Sequence, residues 1–198
     1  MQSDASRLII EYLIRDASSE AICDRGGRVL TPQDQAIRAQ LIIPEQRELF
    51  DYWRAKCTDQ RFPVRADIQP AEIKSLLPSI SLLDVLGPEP LHLRVRLAGT
   101  RLRDYFGIET TGRCLDDFEL GDQRGYWEAA YREVIEGERP AQGVVPLVPW
   151  AQPHVFQFWL RLPLVDADGR IVMVLGHDAF LQSEKAHALA SRANQRIA

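Results

Sequence analysis

The side chains that could do chemistry in this 198-residue chain are few and scattered. They are three cysteines (Cys23, Cys57, Cys114), four histidines (His92, His154, His177, His187) and the carboxylates Asp116, Asp117 and Glu119. Metal sites need Cys or His at short fixed spacings, and no CxxC, HxH or HExxH occurs. Acid–base work by the carboxylates needs a partner, yet no His or Lys adjoins Asp116, Asp117 or Glu119. They read as a surface loop before a helix; an uncharacterised enzyme built on them is the least favoured reading. There is no G-x-S-x-G elbow for a serine nucleophile. Gly26-Gly27 lacks the GxxxxGK[ST] context of a phosphate loop. Catalytic residues are therefore assigned to none of these positions, and the chain is read as a non-enzyme.

Two constellations point to binding instead. Tyr105, Phe106, Phe118, Tyr126, Trp127 and Tyr131, facing Phe156 and Phe158 from a sheet, would wall a small-molecule pocket. Apolar walls with a few polar handles describe such a pocket. The same rings equally describe a filled core. The second constellation is Arg94, Arg96, Trp159 and Arg161 on the polar faces of two strands. It reads either as a docking face, covered by an N-terminal helix or a second subunit, or as a solvated sheet face. Arg65 pairs with a carboxylate or carbonyls, or binds an anion; Asp67 caps the helix opened near Pro70.

These residues must be positioned by elements legible from periodicity. Residues 4–24 carry Leu8, Ile9, Tyr12 and Leu13 at helical spacing, and Gly26-Gly27 ends the pattern. Thr31-Pro32 with Asp34 is a capping sequence for a second helix, interrupted at Pro44. A third helix carries Leu49, Phe50, Trp53 and Cys57. A short helix spans Asp67 to Leu77 between Pro70 and Pro78. Ser79–Leu86 and Leu91–Gly99 read as paired strands joined by Gly87-Pro88 and Pro90. In the second, Leu91, Leu93, Val95 and Leu97 face one side and His92, Arg94 and Arg96 the other. Helical turns follow Gly99-Thr100. Asp122 caps a longer helix with Trp127, Ala130, Tyr131, Val134 and Ile135 on one stripe, stopped by Gly137 and Pro140. Gly143–Val148, Val155–Leu164 and Ile171 onward to Phe180 read as strands, the last two joined by the turn Asp166-Ala167-Asp168-Gly169. In Val155–Leu164, Phe156, Phe158, Leu160 and Leu162 share one face, and Gln157, Trp159 and Arg161 the other. Residues 182–196 form a polar helix.

Composition bounds the class. With 45% hydrophobic residues the chain supports one sizeable core. Net charge is −4, without the basic face of a nucleic-acid binder. The odd cysteine count without paired spacing excludes a disulfide framework and predicts a reducing compartment. The N-terminus lacks the basic region of a signal peptide, and no apolar run approaches the roughly 20 residues that span a bilayer. The expectation is a cytoplasmic protein with no nucleic-acid or membrane partner.

The order of two strands, a helical insert and three strands is α+β: an antiparallel five-stranded sheet with helices on one face. At this point the chain resembles a PAS domain, and in particular the single-domain PAS proteins of alphaproteobacteria. The resemblance rests on Trp53, Pro63-Val64-Arg65-Ala66-Asp67-Ile68-Gln69-Pro70, Leu77-Pro78, Arg96-Leu97-Ala98-Gly99-Thr100 and Thr111-Gly112-Arg113. It divides the chain into an N-terminal helical extension (1–45), a PAS-like domain (46–181) and a C-terminal helical tail (182–198). It implies a bacterial signal-transduction module, working through protein–protein contacts with a signalling partner as a homodimer. A sensor holding a small molecule or cofactor in the cavity is the alternative. The cofactor is left open. Haem is disfavoured because no histidine lies between Arg101 and Gly137, and a Cys–flavin adduct because Gly112-Arg113-Cys114-Leu115-Asp116 does not match that motif.

Overall fold

The computed structural model describes residues 31–58, 61–87, 89, 91–147 and 154–195. The helix expected over 4–24, Cys23, Gly26-Gly27, Pro88, Pro90 and Val148 lie outside the described residues. The described part opens with α1 (Pro32–Gln40) and α2 (Pro44–Lys56). Thr31 caps α1 with the expected box: the Asp34 amide donates to its hydroxyl at 3.1 Å, and the Asp34 carboxylate accepts from the Thr31 amide. Pro44 opens α2 rather than kinking α1, since proline suits a first helical turn and not an interior.

The short helix expected over Asp67–Leu77 is instead three 3₁₀ turns, Arg65–Asp67, Pro70–Ile73 and Leu77–Ser79. Pro70 and Pro78 each remove an amide that a continuous helix would use. Asp67 caps its own turn, accepting from the Val64 amide at 2.9 Å, not the turn at Pro70. Arg65 donates to the Ile68 carbonyl at 3.0 Å.

The strands are β1 (Ile80–Gly87), β2 (His92–Ala98), β3 (Ala141–Pro146), β4 (Val155–Val165) and β5 (Ile171–Gln182). They form one antiparallel sheet in the order β2-β1-β5-β4-β3. Between β2 and β3 lie α3 (Thr100–Phe106), 3₁₀ turns at Leu115–Asp117 and Gly121–Gln123, and α4 (Arg124–Ile135). Asp122 sits inside the turn ahead of α4 and makes no capping bond to it. After β5 comes α5 (Ser183–Gln195). Among the described residues no helix is long and apolar enough to cross a membrane.

Both faces of the sheet are covered. The outer face carries Leu82, Leu160, Leu162, Leu164 and Leu175 against Leu49, Phe50 and Trp53 of α2. Farther along, Phe156 and Phe158 pack on Ile43 and on Ala186 of α5. Two buried polar bonds fasten α2 to the sheet: Trp53 Nε1 donates to the Pro163 carbonyl at 2.9 Å, and Gln46 Nε2 to that of Phe158 at 2.9 Å. The inner face carries Leu83, Val95, Trp159 and Val174 against Trp127, Tyr131 and Val134 of α4. Gly99 lies where the chain leaves the sheet. A Cβ there would overlap the carbonyl oxygens of Leu77 and Pro78, so only glycine lets α3 turn in over the inner face.

The expected alternation in β2 breaks at one residue. A bulge at Arg96 puts Leu97 opposite Leu82 and Val95 opposite Leu83, so Leu97 joins the outer face and is 46% exposed.

His177 is 1% exposed on the outer face of β5, and neither ring nitrogen has a partner. Burial, opposed only in part by Asp178 and Glu45, brings its pKa down to about 4. The folded state therefore holds His177 neutral. Its contribution is complete above the ordinary value near 6.5 and is lost as pH falls from there to about 4. The fold is expected to lose about 3 kcal/mol across that window. Urea unfolding at stepped pH should show this slope in the wild type and a flattened one in His177→Leu.

Candidate functional site

The inner face and the insert enclose a cavity of about 80 Å³. Its roof is apolar: Phe106 from α3, Leu115 and Phe118 from the 3₁₀ segment, Trp127 and Tyr131 from α4. Its floor is polar. Ser81, Gln157, Arg161 and Asp178 project into it from β1, β4 and β5.

The floor is organised by one ion pair. Arg161 Nη2 donates to Asp178 Oδ1 at 2.8 Å and Nη1 to Oδ2 at 3.2 Å, with side-chain exposures of 4% and 0%. Arg161 Nη1 also reaches the Leu160 carbonyl at 3.0 Å, and Nε the Tyr131 hydroxyl at 3.2 Å. Gln157 Nε2 donates to Asp178 at 2.8 Å. The guanidinium lies 5.4–5.7 Å from the ring centres of Trp127, Tyr131 and Trp159. Burial works against its charge, but Asp178 outweighs that and the Arg161 pKa is raised. Burial pushes the Tyr131 hydroxyl up, so it stays a donor. At Gly176, opposite Arg161 across the β4–β5 ladder, a Cβ would overlap Ser81 Oγ and crowd Arg161 Nη1.

Three donors on this surface are unspent. Thr110 lines the cavity, and its buried Oγ1 has no partner. Tyr131 accepts from Arg161 and keeps its own proton. One of the five Arg161 N–H groups also remains.

The structure separates several of the residues expected to act together. Phe106, Phe118, Trp127 and Tyr131 line the cavity. Tyr105 instead stacks on Phe180 with centroids 4.3 Å apart. The Tyr126 hydroxyl accepts from Trp159 Nε1 at 2.9 Å, and its ring is 40% exposed. Phe156 and Phe158 point to the outer face, so their assignment to the cavity is corrected. The residues of β4 that face the cavity are Gln157 and Arg161. The four-residue docking face is corrected for the same reason. Trp159 and Arg161 are buried on the inner face beneath α4, whereas Arg94 and Arg96 are on the outer face. There they share Asp84 at 2.9 and 2.6 Å.

Asp116 and Asp117 do not converge. Asp117 Oδ2 accepts from the Cys114 amide at 2.8 Å, while Asp116 meets Arg124 Nη1 at 3.2 Å and His92 Nδ1 at 3.3 Å. His92 Nε2 lies 3.6 Å from Cys114 Sγ. This Cys–His–Asp grouping escaped sequence reading because no local spacing signals it. It forms when residues 112–114 pair with the edge of β2: the Val95 amide donates to the Arg113 carbonyl at 2.9 Å, and the Gly112 amide to that of Val95 at 2.7 Å.

The ion pair yields a direct prediction. Asp178→Asn leaves the Arg161 charge buried without its partner and should cost about 3–5 kcal/mol. Adding Arg161→Met in the same chain should recover most of the loss, read as the midpoint of denaturant unfolding.

A family model described as PAS domain matches residues 42–177. No curated protein matches the chain. Similar solved structures include a light-oxygen-voltage domain from a flavin-analogue study, 14% identical, covering 64% of this chain and 96% of that one, TM-score 0.46. A second is the Rhodobacter sphaeroides LOV protein, 13% identical, covering 66% and 92%, TM-score 0.43. A third is the PAS domain of a Colwellia psychrerythraea protein, 9% identical, covering 57% and 96%, TM-score 0.44. The family match spans well over half of the chain, and the sheet and insert have the arrangement expected of it: the chain belongs to the PAS domain family of signalling sensor modules.

Proposed function

We propose that the chain is a non-catalytic signalling module of the cytoplasm that responds to a small, neutral, oxygen-bearing ligand in the cavity beneath α4. The observation that carries this is the unpartnered Thr110 hydroxyl, buried at the wall of a cavity that also offers donors from Tyr131 and Arg161. A buried donor without a partner costs about 1–3 kcal/mol, so an acceptor oxygen placed there is favoured. The floor favours a neutral ligand, because Arg161 and Asp178 already balance each other. The volume of about 80 Å³ favours a compound of few heavy atoms, since drug-sized pockets run to roughly 300–1,000 Å³.

NMR titration with acetone and acetamide should shift amides near Thr110, Tyr131 and Asp178. Thr110→Val should weaken the response about tenfold, the worth of one hydrogen bond near 1.4 kcal/mol. Cavity amides that ignore both probes would make this region a filled core.

A second reading is a protein-contact adaptor. It is favoured by the outer face at β1 and β2, where Leu86 and Leu97 are 49% and 46% exposed beside Arg94 and Arg96. Its occupant is a second copy of this chain. Light scattering should find a dimer that Leu86→Glu with Leu97→Glu reduces to monomer; a double variant that stays dimeric refutes this surface.

A further inference from the structure

We propose that Cys114 is a hydroperoxide-reactive thiol, activated by His92 and Asp116 and reversibly oxidised to sulfenic acid. The geometry is that of a nucleophile, a base and an orienting carboxylate in line. Cys114 Sγ is 3.6 Å from His92 Nε2, and His92 Nδ1 is 3.3 Å from Asp116 Oδ2. The nitrogen facing sulfur takes the thiol proton, while Asp116 holds the other N–H and stabilises the imidazolium.

The surroundings favour oxidation over acyl transfer. Acyl transfer needs donors aimed at a developing oxyanion. The Cys114 amide is taken by Asp117 Oδ2 at 2.8 Å, and that carboxylate repels negative charge. A hydroperoxide needs only an accessible thiolate and a proton for its leaving oxygen. Access is present: Cys114 is half-buried, and the side chains of His92 and Asp116 are 43% and 58% exposed. Charged groups beside the trio include Asp117, Arg113, Arg94, whose backbone bridges that of Cys114, and Arg124, on Asp116 at 3.2 Å. Cys57 is the contrast. It is 3% exposed, with Sγ 3.5 Å from the Trp53 carbonyl.

The step is balanced. The thiol proton moves from Sγ to Nε2. The thiolate attacks the terminal oxygen of ROOH; the S–O bond forms as the O–O bond breaks. The leaving RO⁻ takes the proton from His92, giving Cys–SOH and ROH. Sulfur loses two electrons and the peroxide gains them. Two equivalents of a thiol return Cys–SH, with a disulfide and water as products.

The test uses the full chain, hydrogen peroxide, dimedone trapping and peptide mass spectrometry, beside iodoacetamide alkylation across pH. Cys114 should form the dimedone adduct well ahead of Cys57 and lose it if dithiothreitol precedes dimedone. His92→Asn should slow both reactions at pH 7 by about tenfold; Asp116→Asn should slow them less. Thermal melts of these surface variants should match wild type. Cys114 alkylation that follows an ordinary thiol and ignores His92→Asn would overturn the proposal. Fast alkylation without any dimedone adduct would overturn hydroperoxide as its substrate.

Discussion

The Arg161–Asp178 pair governs the inner half of this molecule. Two opposite charges at 4% and 0% exposure are tolerable only if their remaining hydrogen-bonding capacity is met. Each neighbour follows from that demand. Gln157 and Ser81 address the carboxylate, Tyr131 and the Leu160 carbonyl the guanidinium, and three aromatic rings surround the cation. Gly176 is bare because a side chain there would overlap Ser81 Oγ and crowd the guanidinium. The pair also ties β4 to β5, the two strands with the longest shared ladder, and through Tyr131 it ties both to α4. A polar cluster of this kind contributes less to net stability than to specificity, since only one packing of α4 over the sheet satisfies it.

Because that cluster occupies the inner face, the outer face must supply most of the aliphatic burial, and α2 and α5 cover it. β4 is buried along its whole length. This explains which parts of the fold were legible. The Thr31–Asp34 box, the amphipathic stripe of α4 and the two-then-three strand order depend on local chemistry and were readable. The facing of β4 was not. In a strand covered on both sides, polar against apolar alternation no longer separates solvent from core. Phe156 and Phe158 therefore looked like the cavity side, while Trp159 and Arg161 looked like part of the opposite face, covered for docking or solvated; the assignment of the faces is the reverse. Leu97 misled for another reason, since a one-residue bulge shifts every side chain after it and has no compositional signature here.

The candidate sites divide along the same line. The roof aromatics of the insert could be named because helical periodicity exposes them. The floor could not, because it joins residues from three strands, Ser81, Gln157, Arg161 and Asp178, that meet only once the sheet is assembled. Cys114 and His92 are 22 positions apart and meet through the pairing of residues 112–114 with the edge of β2. Asp116 read as an isolated surface carboxylate for lack of a nearby histidine in sequence, yet the sheet edge brings one.

One segment serves both places. Between Thr110 and Phe118 the chain turns at Gly112, with φ of 86°, pairs with β2, presents Cys114 to His92, and then sends Leu115 and Phe118 into the cavity roof. Its hold on the sheet comes from two backbone hydrogen bonds to Val95, the contacts of Cys114 and Asp116 with His92, and the packing of those two side chains. Segments fixed by so few contacts open at lower free energy than the strands beneath them. An acceptor bound at Thr110 and an oxygen added at Cys114 act on the same short stretch from opposite sides, one from within the core and one from solvent. Were each to favour a different position of the stretch, the two would be coupled by the free energies with which they distinguish those positions.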